Sequence, residues 1–427
     1  MIENWEDLSQ HDLTQFSKVS AMTTRRDFLR SSLGTSAVVS IGAAAPQFLL
    51  QAGAAESKPA DETILVMVQL SGGNDGLNTV APFKDSAYRE ARPTLAVSAD
   101  DALKIDNSYG FHPAAQGLSN LLESNRLAIV QGVGYANPNR SHFESMDIWH
   151  TCQRKTAVRN DGWLGRFLDN TRQGDALDIP AIHLGREKQP LALSSQVIRV
   201  PSVTSLDRFR LNDSAKQLRK TVTNIGKSAA PDADLLGFVQ TSTGSALSAS
   251  EQIEAASGSY KTGITYPESG LAQKLKTVAQ LIDSGLKSRI YYVTLDGFDT
   301  HSRQAPAHEA LLRELSGALD AFVRDLDEHG HGDRVLTMSF SEFGRRLQEN
   351  ASEGTDHGAA APAFLAGNRV KSGLIGKHPS LHDLQDGDVK FHTDFRQVYA
   401  TVLDQWLGVE SAPILGSKFT PVAALRS

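Results

Sequence analysis

Hydrophobic residues are concentrated in four short runs along the chain. The runs are TILVMVQL (63–70), RLAIVQGVG (126–134), RIYYVTL (289–295) and RVLTMSF (334–340). Each run is mostly apolar on both faces and rich in Val, Ile or Tyr, a pattern typical of parallel strands that are covered on both sides. The sequence therefore predicts four buried strands.

Between these runs, apolar positions recur at the spacing of an amphipathic helix. The clearest helical segments are residues 269–288, 308–330 and 393–408, the last with a cap at Thr393 or Asp394. We expect His308, at the start of the second segment, to be exposed. Because strands and helices alternate, the pattern indicates an α/β fold with a mostly parallel sheet.

The composition changes between residues 187 and 265, where Ser, Ala and Thr dominate. This region is interpreted as an inserted helical or loop subdomain, or as a lid, within a single domain that spans residues 62–425. The composition of the whole chain is otherwise that of a globular protein, with 40% hydrophobic and 22% charged residues.

The charge and cysteine content exclude two classes of function. The net charge is −6 over 427 residues and no basic run is present, so we predict no nucleic-acid partner. A single cysteine, Cys152, rules out an internal disulfide framework and a zinc site built from several thiolates. Its apolar neighbours predict a buried side chain.

The N-terminus has the pattern of an export signal. Arg25-Arg26 precede Phe28-Leu29 and a weakly apolar stretch that contains Pro46, and Ala52-Gly53-Ala54 fits a cleavage site. We predict a twin-arginine signal region over residues 1–54 and a mature start at about residue 55. The protein would then be periplasmic or secreted, with the twin-arginine machinery as a partner and no stable membrane span in the mature chain. A membrane-anchored N-terminus is the alternative.

Polar side chains follow all four predicted strands. The segments are SGGNDGLN (71–78), YANPNRSHFESMD (135–147), DGFDTH (296–301) and SEFGRR (341–346), the last followed by TDHG (355–358). Open parallel sheets bind ligands at the carboxyl ends of their strands, so we expect one shared site at this edge.

Acid and imidazole pairs in two of these segments suggest metal ligands. Asp299 and His301 are two residues apart, so both side chains face the same way in extended backbone and can ligate one ion. Asp356 and His357 are adjacent and diverge, so they can serve two different ions. The alternative for each pair is a turn aspartate beside a surface histidine. Such shells suit zinc, manganese or iron, whereas carboxylates and amides suit calcium or magnesium.

Ser141 is the candidate nucleophile. It is expected to begin the helix that carries Phe143, Met146 and Trp149, near free N–H groups that attract anions, and Arg140 beside it can hold a phosphoryl or sulfuryl oxygen. The alternative, compatible with the first, is that Ser141 is an N-cap with Glu144 completing a capping box. Other candidate ligands or supporting residues are Asn74, His112, His142, Glu342, His378 and His392.

Several longer motifs occur together in order. They are VQLSGGNDGLNTVAPF, GVGYANPNRSHFESMDIW, GWLGRFLD, LDGFDTH, FSEFGRR with GTDHG, and TDFRQVYATVLDQWLG. Together they resemble the DUF1501 family of exported bacterial proteins, which is grouped with the alkaline phosphatase and sulfatase superfamily. The resemblance implies an alkaline-phosphatase-like three-layer sandwich around a central, mostly parallel sheet. It also implies one or two divalent ions (zinc, manganese, calcium or magnesium) and a small-molecule or glycan ester of phosphate or sulfate as substrate.

The superfamily pattern is carried over residue by residue. Asp356-His357 resembles its Asp-His metal segment, Asp299 and His301 resemble the ligand cluster after an earlier strand, and Asp75 with Asn74 resembles the metal aspartate after the first strand. Ser141 lies where the nucleophile is expected.

One departure concerns the nucleophile. Formylglycine sulfatases carry Cys or Ser two residues before Pro and four before Arg, and this chain has Ala136 there. A standard sulfatase is therefore disfavoured, and Ser141 or a water molecule held by the metal is favoured. The leading hypothesis is an exported metal-dependent hydrolase of phosphate or sulfate esters. The alternative is a non-catalytic periplasmic protein for binding or envelope assembly. An acyl-ester hydrolase is disfavoured because no G-x-S-x-G elbow is present.

Overall fold

A computed structural model describes residues 63–171, 179–204 and 260–426. The predicted signal region and most of the predicted insertion at 187–265 lie outside the described residues. No helix within the described ranges is both long and apolar enough to cross a membrane.

The strands are β1 (Ile64–Ser71), β2 (Val80–Ala81), β3 (Leu103–Lys104), β4 (Gly110–Phe111), β5 (Leu127–Gly134), β6 (Ala181–Leu184), β7 (Ser202–Val203), β8 (Ile290–Asp296), β9 (Val335–Ser341), β10 (Arg345–Glu349), β11 (Thr355–His357), β12 (Ala361–Ala366), β13 (Gly373–Ile375), β14 (Leu384–Gln385), β15 (Asp388–Val389) and β16 (Thr393–Asp394). The α-helices are α1 (Gly76–Thr79), α2 (Ser86–Ala91), α3 (Gln116–Glu123), α4 (His142–Thr151), α5 (Trp163–Asn170), α6 (Gly270–Asp283), α7 (Gln304–Glu328), α8 (Phe395–Ala400) and α9 (Ser411–Leu415). A π-helical segment, Thr401–Trp406, continues α8.

A nine-stranded sheet forms the centre of the fold. Its order is β13-β5-β12-β9-β1-β8-β6-β7, with β16 pairing to β5. All pairings in this sheet are parallel except those of β12, which runs antiparallel to both β5 and β9. The four predicted strands are β1, β5, β8 and β9, and the prediction of a mostly parallel sheet is confirmed.

Helices cover both faces of this sheet because side chains alternate along each strand. On β1, Ile64, Val66 and Val68 pack with α3, α6 and α7 in one apolar cluster, whereas Leu65 and Met67 pack with α4, α5 and α8 in another. The result is a three-layer α/β/α arrangement. Cys152 is buried in the second cluster, as predicted.

Two local predictions were wrong. His308 is only 1% exposed, because it lies on the buried face of α7 with Leu312 and Leu315. Nε2 of its ring lies 3.0 Å from the side-chain oxygen of buried Asn74. Ser141 does precede the first residue of α4, but it makes no side-chain cap hydrogen bond. The Glu144 carboxylate instead pairs with Arg159, so the predicted capping box does not form.

Candidate metal centre

Four segments converge at the carboxyl ends of the parallel strands. Strand β8 leads directly into Asp299 and His301, and the first helical residue after β5 is His142. Glu342 follows β9 immediately, and His357 closes β11, which pairs with β10 at the same edge. Because β1, β5, β8 and β9 run in the same direction, their following loops share one edge of the sheet.

One carboxylate oxygen and three imidazole nitrogens meet at this edge. Oδ1 of Asp299 lies 3.0 Å from Nε2 of His357, 3.1 Å from Nε2 of His301 and 3.4 Å from Nε2 of His142. The Nε2 atoms of His301 and His357 are 2.9 Å apart. Ligands bound to one tetrahedral ion by bonds of about 2.0 Å stand ~3.3 Å from each other, which is close to this spacing.

Each of the three imidazoles has an acceptor near its other nitrogen, at hydrogen-bond distance for His142 and His357. Nδ1 of His142 lies 2.9 Å from Oε1 of buried Glu342, and Nδ1 of His357 lies 2.7 Å from the main-chain oxygen of Arg140. Nδ1 of His301 lies 3.4 Å from Oδ1 of Asp356. Acceptors on Nδ1 fix the ring orientation and the tautomer that leaves Nε2 unprotonated, as in carboxylate–histidine–metal arrangements.

The chemistry of the cluster fits a cation. The carbonyl oxygen of Arg140 can only accept, so Nδ1 of His357 donates to it and Nε2 of the neutral ring carries a lone pair. Burial lowers the pKa of His357, which favours that neutral form. Its lone pair then faces the Asp299 carboxylate, an arrangement that is favourable only with a cation or proton between them. Nε2 of His142 is buried and has no hydrogen-bond partner among the described residues. The residues present therefore fit a divalent ion.

Asp299 is ionised at neutral pH. Partial burial acts to raise its pKa, but the hydrogen bond and the positive charge of Arg345 act against this, and the pKa is held at about 2. Arg345 is buried, and its guanidinium also donates to the main-chain oxygens of Gly73 and Thr355, at 2.7 Å each. Asp299 thus presents a fixed negative charge to the cluster.

His142 has the opposite tendency to His357. Its hydrogen bond with Glu342 is the largest influence and raises the pKa of the imidazole, although partial burial acts against it. Glu342 is itself held by the main-chain N–H of Gly72, at 2.9 Å, and by the hydroxyl of Ser341, at 3.2 Å. The buried carboxylate therefore has donors on both oxygens.

Asp75, the predicted ligand after β1, lies outside this cluster. It is fully buried and forms an ion pair with Nη1 of buried Arg92 at 2.6 Å. Nε2 of Gln304 also donates to Oδ2 of Asp75, at 2.5 Å, and the main-chain N–H of Asn78 donates to Oδ1, at 3.3 Å. Burial acts to raise the pKa of Asp75, but Arg92 outweighs it and the pKa is lowered. Oδ1 of neighbouring Asn74 accepts from the hydroxyl of Thr79 at 3.1 Å and lies 3.0 Å from Nε2 of His308.

The predicted nucleophile and its neighbour lie beside the cluster. Ser141 is exposed and immediately precedes His142, at the start of α4. The guanidinium of Arg140 is turned to another partner, Asp388, whose Oδ2 lies 3.0 Å from its Nε. Arg140 therefore reaches the cluster through its main chain.

The other candidate histidines have separate environments. Nδ1 of His112 accepts from the main-chain N–H of Ala114, and burial lowers the pKa of this ring. His378 stacks on Tyr109 with ring centroids 4.9 Å apart. His392 is exposed and bonds Gly132 through its main chain. Within the described residues, the ligand atoms of His142, Asp299 and His357 all lie within 4.8 Å of one another, with His301 beside Asp299, and this group includes none of these rings.

His142 is the ligand-like residue that sequence reasoning ranked too low. The sequence marks it only as a secondary candidate, because the direction of a histidine in the first turn of a helix depends on how that helix packs. The available signal was its position directly after a strand end and the candidate nucleophile.

These features define an α/β protein with a histidine–aspartate cluster at the carboxyl edge of a mostly parallel sheet. The chain belongs to the family described as protein of unknown function (DUF1501), which matches residues 128–415. The resemblance found in the sequence is therefore confirmed. No curated protein matches the chain.

Several solved structures are similar to this chain at low identity. A protein in the alkaline phosphatase superfamily from Vibrio parahaemolyticus is 7% identical, with 84% of this chain and 69% of that chain covered and a TM-score of 0.39. The C-terminal periplasmic domain of EcEptC from Escherichia coli, in complex with Zn, is 8% identical, with 73% and 75% covered and a TM-score of 0.35. The PsFucS1 sulfatase from Pseudoalteromonas sp. is 10% identical, with 87% and 70% covered and a TM-score of 0.35. Likeness at this level carries no inference about mechanism or substrate.

Proposed function

We propose that the protein is a metal-dependent hydrolase of phosphate or sulfate esters, with a divalent ion bound by His142, Asp299, His301 and His357. The observation that supports the proposal is the convergence of three Nε2 atoms on one oxygen of Asp299, within 3.4 Å. Three nitrogen ligands and one carboxylate favour zinc over calcium or magnesium, which prefer shells of oxygen alone.

The cluster is accessible, as a catalytic centre requires. The side chains of Asp299 and His301 are 47% and 44% exposed. A bound divalent ion supplies Lewis acidity, which polarises an ester oxygen and lowers the pKa of water. The chain's own residues fix the ligand geometry, through Glu342 behind His142 and Asp356 behind His301.

Ser141 is the proposed nucleophile. It is exposed beside His142, and its hydroxyl is not committed to capping α4. Its oxygen would form a bond to phosphorus or sulfur while the ester bond breaks and the alcohol leaves with a proton. Water would then cleave the seryl ester, releasing phosphate or sulfate and restoring the hydroxyl. The free N–H groups at the start of α4 suit the anionic group being transferred.

Two assays test the proposal together. Protein purified without chelator is expected to contain zinc and to hydrolyse at least one member of a panel of aryl phosphate monoesters, diesters and sulfates. His142→Gln is expected to lower metal content and turnover at least 100-fold. His392→Gln, which removes an exposed imidazole outside the cluster, is the matched control and is expected to change neither.

The outcomes separate the leading function from its alternative. Bound metal with no turnover across the panel would favour a non-catalytic binding or envelope-assembly protein. Absence of metal in folded protein would overturn both the metal centre and the proposed hydrolysis. Retained turnover in Ser141→Ala, with metal bound, would transfer the role of nucleophile to water.

We also propose export by the twin-arginine route, on the basis of Arg25-Arg26 and the apolar stretch that follows. Replacing both arginines with lysine is expected to retain the protein in the cytoplasm. An unchanged periplasmic fraction on cell fractionation would contradict this route.

A further inference from the structure

Two buried arginines are paired with two of the aspartates that the sequence suggested as metal ligands. Arg92 is paired with Asp75, and both side chains have 0% exposure. Nη2 of Arg345, equally buried, lies 2.9 Å from Oδ1 of Asp299. A guanidinium does not lose its proton in proteins, so each aspartate has a permanent cationic partner.

Three donors already occupy the buried carboxylate of Asp75. Arg92 and Gln304 donate to one oxygen, and the main-chain N–H of Asn78 donates to the other. Gln304 is tied in turn to Thr355, whose hydroxyl donates to its side-chain oxygen at 2.6 Å. A metal ion at Asp75 would have to compete with Arg92, and separating this pair would leave a buried guanidinium without the carboxylate that balances its charge, at a large cost in free energy.

Asp356 is also engaged as a supporting group. Its Oδ1 lies 3.4 Å from Nδ1 of His301 and 3.3 Å from Nδ2 of Asn350. His301 turns its other nitrogen to Asp299, so Asp356 orients a ligand of the same cluster. The neighbours Asp356 and His357 contact different members of one cluster, His301 and Asp299 respectively.

We propose that the site, if it is the metal centre proposed above, holds a single divalent ion, and that Arg92 takes the place of a second cation. A second dication at Asp75 would lie against the fixed charge of Arg92, where the positive charges repel. The acidic residues at this edge therefore form one ion site, at Asp299, and one closed internal ion pair, Asp75 with Arg92.

Counting the ions tests this inference directly. Metal-free full-length protein is titrated with Zn²⁺ and the number of ions per chain is read by native mass spectrometry, with affinity measured against a competing chelator. One ion per chain is expected. Asp299→Asn should weaken binding at least 100-fold, because it removes the negative charge of the carboxylate that contacts all three imidazoles.

Two further variants separate the ligand from the neighbouring acids. Asp75→Asn is expected to lower the melting temperature but to keep one ion, with an affinity within threefold of the parent. Asp356→Asn, whose side chain is 56% exposed, should fold and keep one ion with an affinity 10 to 100 times weaker. If Asp75→Asn does not fold, the number of zinc ions bound by the parent and by Asp356→Asn still distinguishes one ion per chain from two.

Two ions per chain, with dissociation constants within tenfold of each other, would overturn the inference and leave the proposed hydrolase intact. Loss of the second ion in Asp75→Asn or Asp356→Asn would identify where it binds. Failure of the parent to bind any Zn²⁺ would overturn the metal centre itself.

Discussion

At the scale of single residues, the position of Asp299 depends on the main chain opposite it. Gly72, in the turn after β1, has φ +115°, and a Cβ built there would lie 2.4 Å from the main-chain nitrogen of Asp299. Only glycine permits both this conformation and this close approach. The SGG segment in the sequence therefore holds the loop after β8 against the end of β1.

We expect Gly72→Ala to weaken zinc affinity at least tenfold, because its Cβ would displace Asp299 from the three imidazoles. The measurement is a zinc titration, with circular dichroism as the test of folding. Gly285→Ala is the matched control: it has φ +79° and nothing within 4 Å of its Cβ, so it adds backbone strain without a clash. Equal zinc affinities in the two variants would contradict the role of the close approach.

At the scale of elements, the first turn of α4 is fastened to the end of β9. The hydroxyl of Ser145 donates to the main-chain oxygen of Glu342 at 2.6 Å, and Oε1 of Glu342 lies 2.9 Å from Nδ1 of His142. The helix and strand thus fix the imidazole from two directions. We therefore expect a residue outside the proposed ligand set to control metal affinity through geometry alone.

Glu342→Gln is expected to weaken zinc affinity by 10 to 100-fold without loss of helical content. The amide can donate to Nδ1 of His142, which would favour the tautomer with a proton on Nε2 and block ligation. Chelator competition measures the affinity. Glu144→Gln changes a residue on the same helix that is paired with Arg159. It serves as the control and should leave the zinc affinity unchanged. Equal effects of both variants would argue against a positioning role for Glu342.

Elements and contacts differ in how well the sequence predicts them. The four strands were predictable because an apolar run indicates burial on both faces, and this can be read without knowing which strands lie beside it. The direction of His142 was not, because the rotation of α4 is set by packing of Ile148 and Trp149 under the sheet. The pairing of Asp75 with Arg92 was equally hidden, since no local pattern marks an arginine that will be buried.

At the scale of the whole molecule, buried neutral histidines make the fold sensitive to acid. Burial lowers the pKa of His308 to about 4 and that of His150 to about 3. In the unfolded chain both rings titrate near 6.5. Between these limits the unfolded state binds more protons, so stability falls as the pH is lowered from about 6.5 toward 4.

For His308 alone, this linkage amounts to about 2 kcal/mol between pH 7.5 and pH 5. His308→Gln, which can still donate to Asn74, is expected to reduce the difference in unfolding free energy between these two pH values by that amount. Urea unfolding of metal-free protein at both pH values measures it. An unaltered pH dependence in His308→Gln would contradict the buried neutral ring.

The strand order has a consequence for how the molecule assembles. The central strand β1 is made first, yet it pairs on one side with β8 and on the other with β9, so that Leu65 meets Ile290 and Leu336. Contacts between residues so distant in the chain form slowly. In a nascent chain, β1 must therefore remain unpaired with β8 and β9 through most of synthesis. The centre of the sheet can close only after β9 has emerged, and the histidine–aspartate cluster only after His357 has followed it.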